Sequence, residues 1–567
     1  MVMRPTRKLM ATAAIAASMM FALPGCGGGG GSPSPTPTPT PTVTPTPTPT
    51  PSSGVSWSQG VFAPASTFEA RCENPRSGFD IEGNAFQDLA GSLTEELFWL
   101  RSWTEETYLW NDEVTDQNPN NFSDRLAYFA QLKTFATTAS GEDKDDFHFS
   151  QSTEDYLEQR NSTAQSGYGV EYVAFSTTPP RDFRVLYTEP NSPASNITSG
   201  EAPFQRGAKI LEVDGIDLVN AGSQADVNGL NAGLFPAVAG ETHTFLVQDP
   251  GESPRTITIT SADVATAPVN RTRVIDTSSG KVGYILFNTF SPFSSEEAIA
   301  TAISEMKTEG VSDLVLDLRY NGGGLLAVAA QLGYMVAGES QTSGKTFELL
   351  QFNDNAGNAN PVTGEVNEPV PFIDIGLGFS LTNGTPLDSL DLPRVFILST
   401  GSTCSASEAV INGLRGVDVE VILIGDTTCG KPYGFYPTDN CGETYYTIQF
   451  KGVNEKGFGD YSDGFVPDDS SFQFGERLAG CVVADDYDTE LGEETEALLA
   501  AALDYRETGT CPATASTSGT SSTASASPPQ KALKSETTYL GGPEVATTDM
   551  TQAQDIMHNN RDMRTPY

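Results

Sequence analysis

The stretch "PRVFILSTGSTCSASEAVINGLRGVDVEVILIGDTTCGKPYG" runs from Pro393 to Gly434. "PRVFILST" reads as an apolar strand, "SASEAVINGLRG" as an amphipathic helix and "VEVILIGD" as a second strand. Strands joined through a helix pair in parallel by a right-handed crossover. The same alternation extends upstream. "GKVGYILFNTF" (280–290) and "DLVLDLRY" (313–320) are strands. "SEEAIATAISEMKTEG" (295–310) and "GLLAVAAQLGYMVAG" (324–338) are helices, with Ser295 as a cap and Glu296 and Glu297 in the first turn. Residues 270–511 therefore predict an α/β domain on a largely parallel sheet.

In such sheets, sites form beyond the C-terminal ends of the strands. "RYNGGG" (319–324) follows one strand, "STGSTCSASE" (399–408) another, and "DTTCGKPYG" (426–434) a third. Strand order thus gathers a glycine-rich turn, serines at a helix start and Lys431 at one edge. A serine nucleophile needs a base. The three histidines fall outside this domain: His148 in a helical region, His243 in a β region, His558 in the tail. No G-x-S-x-G elbow is present. Lysine serves instead when desolvation brings its amine toward neutrality. Lys431, between Gly430 and Pro432 just past a buried strand, is the candidate. The residues alone leave open which serine acts, since Ser402, Ser405 and Ser407 all suit helix caps or first turns.

The chain has 567 residues, enough for several domains. Its formal net charge of -41, from 32 basic and 73 acidic residues, opposes nucleic acid or an anionic membrane surface as partner. Arg4, Arg7 and Lys8 precede an apolar run, Leu9–Leu23, too short to span a bilayer comfortably. With "LPGC" ending at Cys26, residues 1–26 read as a signal peptide with a lipobox, and Cys26 as the lipidated N-terminus. Residues 27–55 are a glycine swivel and a Pro/Thr spacer (33–51), whose roughly twenty residues at ~3.1 Å each reach roughly 60 Å. Six further cysteines suit disulfides in an exported chain. Cys429 and Cys441 could close a hairpin, and Cys481 with Cys511 is a second pairing. No CxxC or histidine-rich spacing suggests a metal, and no cofactor is expected. Residues 512–567 are Ser/Thr/Ala-rich and read as a disordered tail.

Residues 72–160 read as a helical N-terminal domain, with Leu93, Leu97, Leu100, Trp103, Tyr108 and Trp110 spaced for a packed apolar face. Residues 166–265 turn to short strands. There "SGYGVEY" (166–172), "NSPAS" (191–195) and "FQRGAKILEVDGIDL" (204–218) resemble a PDZ domain of the bacterial protease type. Ala208 stands where the signature has Asp, and Asp214 where it has Asn. The resemblance implies a carboxylate-binding loop of Gly167, Tyr168, Gly169 and Val170, which would take a peptide C-terminus.

Together, "SASE", "GK" and "DLRYNGGG" on this layout resemble the C-terminal processing (tail-specific) peptidases, serine peptidase family S41. The resemblance covers about 430 residues. It implies Ser405 as nucleophile and Lys431 as general base. It places the N–H groups of Gly323 and Ala406 in the oxyanion hole. Many relatives carry Gln four residues after the lysine; here that position is Phe435. Glu408, one turn from Ser405, could orient the site or merely complement the helix dipole. Arg319 and Asn321 read as braces of the glycine turn. The expectation is a serine endopeptidase cutting protein or peptide substrates near their C-termini. It would be a lipoprotein of the cell envelope, held to a membrane through its acylated cysteine, facing the periplasm or surface, on the outer membrane. The alternatives are a non-catalytic peptide-binding lipoprotein on a peptidase fold, and a hydrolase of non-peptide esters.

Overall fold

The computed structural model describes residues 56–161, 164–197, 202–512 and 561–562. The signal peptide, Cys26, the linker 27–55, His558 and nearly all of the 512–567 tail lie outside the described residues. The described residues of 56–512 fall in one compact unit.

At its centre is a six-stranded sheet. Its order is Val269–Thr277, Gly280–Phe287, Asp313–Asp317, Arg394–Ser399, Glu420–Gly425 and Gly480–Val482. The four later pairings are parallel, and the first is antiparallel. Strands after Gly430 add small antiparallel sheets. The β content is therefore mixed, where the sequence pattern predicts a largely parallel sheet. Past Gly430, neighbours such as Thr438–Asn440 and Glu443–Tyr446 are joined by a two-residue turn, which allows only antiparallel pairing.

The middles of the inner strands, such as residues 314–316, 395–398 and 421–424, are apolar because both faces are covered. Val395, Ile397 and Leu423 join one core with the helices Ser295–Glu309, Leu326–Ala337 and Ala406–Gly416. Phe396, Leu398, Ile422 and Ile424 join the other, under Ala497–Thr508. Ser295 is not a cap. Ser294 holds that position, and Ser295 Oγ turns back to the Phe290 carbonyl at 2.9 Å.

The N-terminal region is less helical than the sequence pattern predicts and is not a separate domain. Its main helix, Leu93–Thr107, is capped by Ser92 and packs Trp99 and Trp103 at tilted angles against Tyr445. The strand Phe149–Ser152 pairs with Glu443–Tyr446, and a Cys72–Cys441 disulfide joins the same two regions. Only the short helices Arg125–Phe129 and Thr153–Arg160 follow, since Asn, Asp, Pro and Gly break the rest into turns. The pairing of Cys441 with Cys72 leaves Cys429 to Cys404, so the Cys429–Cys441 hairpin closure does not form. Cys481 does pair with Cys511.

Residues 166–265 form an antiparallel sheet closed by the helix Gln224–Leu234. Tyr168 is buried and its hydroxyl donates to the Gly233 carbonyl at 2.9 Å, tying the loop Gly167–Val170 to the end of that helix. Gly169 lies at φ +74°, and a side chain there would collide with Ser192. Arg206, buried, donates to Tyr320 Oη (2.7 Å) and Asp485 Oδ1 (2.9 Å). Arg319 reaches the same Asp485 oxygen at 2.8 Å, so this region is braced against the base of the glycine turn.

Glu189 gives this junction a pH dependence. One carboxylate oxygen accepts from Ala267 N at 3.0 Å, and burial pushes the carboxyl up to about 7. Its raised value favours the folded, protonated form, so this contribution to stability is full below about 4.5 and is lost as pH rises through 7. Glu189→Gln keeps the acceptor without the charge. Thermal melts from pH 5 to 8 should show the variant gaining on wild type toward pH 8, by at most about 3 kcal/mol.

Candidate active site

Ser405 is the residue just before the helix Ala406–Gly416, and its backbone sits at φ 57°, ψ -111°. A non-glycine residue held there costs of order 1–3 kcal/mol, which neighbours must offset. Gly323 is pressed against it. A Cβ on Gly323 would stand 2.8 Å from Ser405 Cβ and 2.9 Å from Ala406 N, and its φ of +111° also demands glycine. The glycine turn and the helix start are thus in van der Waals contact.

Asn321 fastens that contact. Its carbonyl accepts from Cys404 N (3.0 Å) and from Ser407 Oγ (2.9 Å), while its side chain donates to the Phe287 carbonyl (2.8 Å). Its Oδ1 accepts from Gly323 N at 2.9 Å, so that N–H points within its own turn. Arg319, fully buried, is held by Asp317, Asp485 and Glu496. Both residues act as braces of the turn. Ser407 is spent on the Asn321 carbonyl, and Ser402 stands in the half-buried loop ahead of the helix.

Glu408 is the bracket between nucleophile and base segments. Oε2 accepts from Ser405 N (3.0 Å) and Lys431 N (2.8 Å). Oε1 accepts from Gly430 N (2.9 Å) and Thr428 Oγ1 (2.5 Å). One buried carboxylate therefore holds the backbone of both candidate catalytic residues. Burial raises its pKa, against these four hydrogen bonds that lower it. The choice between dipole partner and organiser thus falls on organiser. The Cys404–Cys429 disulfide makes a second link between the same segments.

Lys431 is fully buried. Its Nζ lies 4.4 Å from the ring centre of Phe147 and 4.6 Å from that of Phe435. Phe435 thus meets the lysine with a ring face where relatives would offer an amide. Phe147 comes from the N-terminal region, and the sequence analysis missed it. Its only signal is an aromatic pair, "FHF" (147–149), between acidic residues and a strand. A cavity of about 110 Å³ opens beside this arrangement, lined in part by Phe147, Asp426, Thr428, Cys429 and Gly430.

Histidine does not take the base's place among the described residues. His148 is buried between the Thr447 hydroxyl (3.0 Å) and the Phe129 carbonyl (2.9 Å), and burial pushes its pKa down to about 4. His243 pairs with Asp214 at 2.6 Å on the β region.

The sequence profile of Peptidase family S41 matches residues 281–435, which hold the glycine turn, Ser405 and Lys431. A carboxyl-terminal-processing protease of Picosynechococcus sp. is 26% identical over 277 residues, 48% of this chain and 56% of that protein. A chloroplastic C-terminal processing peptidase of Tetradesmus obliquus is 26% identical over 285 residues, 48% of this chain and 53% of that one. The chain spans about half the length of these curated relatives. A crystal structure described as an S41 protease from Bacteroides fragilis NCTC 9343 superposes with a TM-score of 0.53. It is 23% identical and covers 73% of this chain and 97% of that one. That likeness establishes the fold, an S41 peptidase fold of mixed α/β content.

Proposed function

We propose that this protein is a serine endopeptidase that cuts protein or peptide substrates near their C-termini with a Ser405–Lys431 dyad. The observation that carries the proposal is Glu408, one buried carboxylate bound to the backbone N–H of both residues. Ser405 Oγ attacks the scissile carbonyl while Lys431 Nζ takes its proton. The tetrahedral oxyanion is met by the N–H of Ala406, at the helix N-terminus. The Gly323 N–H joins it on exchanging Asn321 Oδ1 for the oxyanion. Lys431 then returns the proton to the departing amine, and water releases the acyl group by the same route. Because Ser405 and Lys431 are both fully buried, side chains packed on them, Phe147 against Lys431 among them, must move to admit a peptide.

In this reading the 166–265 region is a PDZ domain whose loop, Gly167 to Val170, takes the substrate's terminal carboxylate. Cys26 carries the lipid that anchors the protein in the cell envelope, on the outer membrane, facing the periplasm or surface. A second reading, a non-catalytic peptide binder on the same fold, is favoured by Phe435 and by the occupied Gly323 N–H. Cleavage of a protein with an unstructured C-terminus, followed by mass spectrometry, separates the two. Wild type should release C-terminal fragments, and Ser405→Ala should lower kcat at least ~10³-fold with unchanged circular dichroism. Equal turnover by both proteins would remove Ser405 from the mechanism.

A further inference from the structure

The Cys404–Cys429 disulfide stands closer to the chemistry than the other two. Cys404 immediately precedes Ser405, and Cys429 is two residues before Lys431. Its two ends sit on the two segments that must stay in register. Cys404 N is also bound to the Asn321 carbonyl and Cys429 N to the Thr403 carbonyl, both at 3.0 Å. Ser405, next in the chain, is held at φ 57°. A residue in that conformation relaxes when its neighbour is released. Cys404 is 1% exposed, whereas Cys429 is partly exposed and lines the cavity of about 110 Å³.

We infer that the Cys404–Cys429 disulfide is a positioning device of the proposed reaction: it fixes Ser405 against Lys431, and turnover is conditional on its oxidation. The inference rests on the Ser405–Lys431 reading. A dithiol reductant, small or on a protein, opens the bond from the cavity side. Its thiolate attacks Cys429 Sγ and forms a mixed disulfide, and Cys404 leaves as a thiolate that takes a proton. The reductant's second thiol then attacks the mixed disulfide. Cys429 is released as a thiol and the reductant leaves as its own disulfide, having given two electrons and two protons. Glu408, Asn321 and Gly323 still hold the backbone afterwards, so the fold persists while the strained serine loses the covalent restraint beside it. Displacements near 1 Å in such a site cost about 10²-fold in rate.

The test uses the full chain, purified oxidised, and titrated with dithiothreitol. At each point kcat and KM are measured for cleavage of a peptide substrate. Differential alkylation and mass spectrometry then give the fraction of each of the three disulfides opened. The expected result is a fall in kcat of about 10²-fold that follows opening of Cys404–Cys429, reverses on reoxidation, and leaves KM within about threefold. A Cys404→Ala/Cys429→Ala variant should show the low kcat at once and no response to dithiothreitol. Should that variant not fold, the titration of wild type decides by itself. Unchanged kcat with the pair fully reduced would overturn the inference, as would a loss that follows Cys72–Cys441 instead. An oxidised wild type that cleaves nothing would instead sink the peptidase reading.

Discussion

Replacing Lys431 with Met should leave a folded protein whose kcat falls at least ~10³-fold while KM changes little. Met fills nearly the same volume and keeps the contact with Phe147 and Phe435, whose ring centres lie 4.4 and 4.6 Å from the nitrogen it removes. Only the proton acceptor is lost, and a positioned base contributes about 10²–10⁴-fold. Lys431→Arg should not restore activity, because a guanidinium does not give up its proton at usable pH. No described histidine replaces it: His148 is neutral and engaged at both ring nitrogens, and His243 is paired with Asp214. Steady-state kinetics with a melting curve for each variant check both statements. A Lys431→Met enzyme within tenfold of wild type would mean that another group takes the proton.

Glu408→Gln should be costly in a different way. The carboxylate accepts from three backbone N–H groups and one hydroxyl. A glutamine offers one acceptor oxygen and turns an NH₂ group toward donors. Hydrogen bonds to a charged group contribute about 1.5–3 kcal/mol each, and a buried donor left unmet costs about as much. The expected loss of stability is about 2–4 kcal/mol on that scale, with kcat down about 10²-fold from misplaced Ser405 and Lys431. Lys431→Met, by contrast, should melt close to wild type. The two variants thus separate the group that reacts from the group that positions it. Denaturant unfolding and kcat measured on the same samples check this.

Much of this site could be read from the chain before any coordinates. "VFIL" and "VILIG" are apolar without a break because both faces of their strands are buried, and that pattern placed three loops at one sheet edge. The glycine-rich turn could be read from its place after a buried strand, but Gly323 within it was singled out only by the resemblance of "DLRYNGGG" to the family motif. What stayed hidden depends on contacts between distant residues. Phe147 meets Lys431 from the far side of the β region. Cys72 finds Cys441 across 369 positions, and nothing in the local sequence marks that pair. For Glu408 the sequence left orienting the site and complementing the helix dipole as equal readings, since its four donors come from both ends of the strand–helix–strand unit. The helical pattern around Leu93–Thr107 was legible, but its dependence on Tyr445 was not, which made a segment of the unit look like a domain.

The central claim is that Ser405 is a nucleophile activated by Lys431. The most direct measurement is peptide mapping by mass spectrometry after treatment with a fluorophosphonate, which forms a stable bond only with an activated hydroxyl. The account predicts a single adduct on Ser405 in wild type, and labelling at least ~10²-fold slower in Lys431→Met. An adduct on Ser402 or Ser407, or no adduct in a preparation that cleaves peptides, would contradict it.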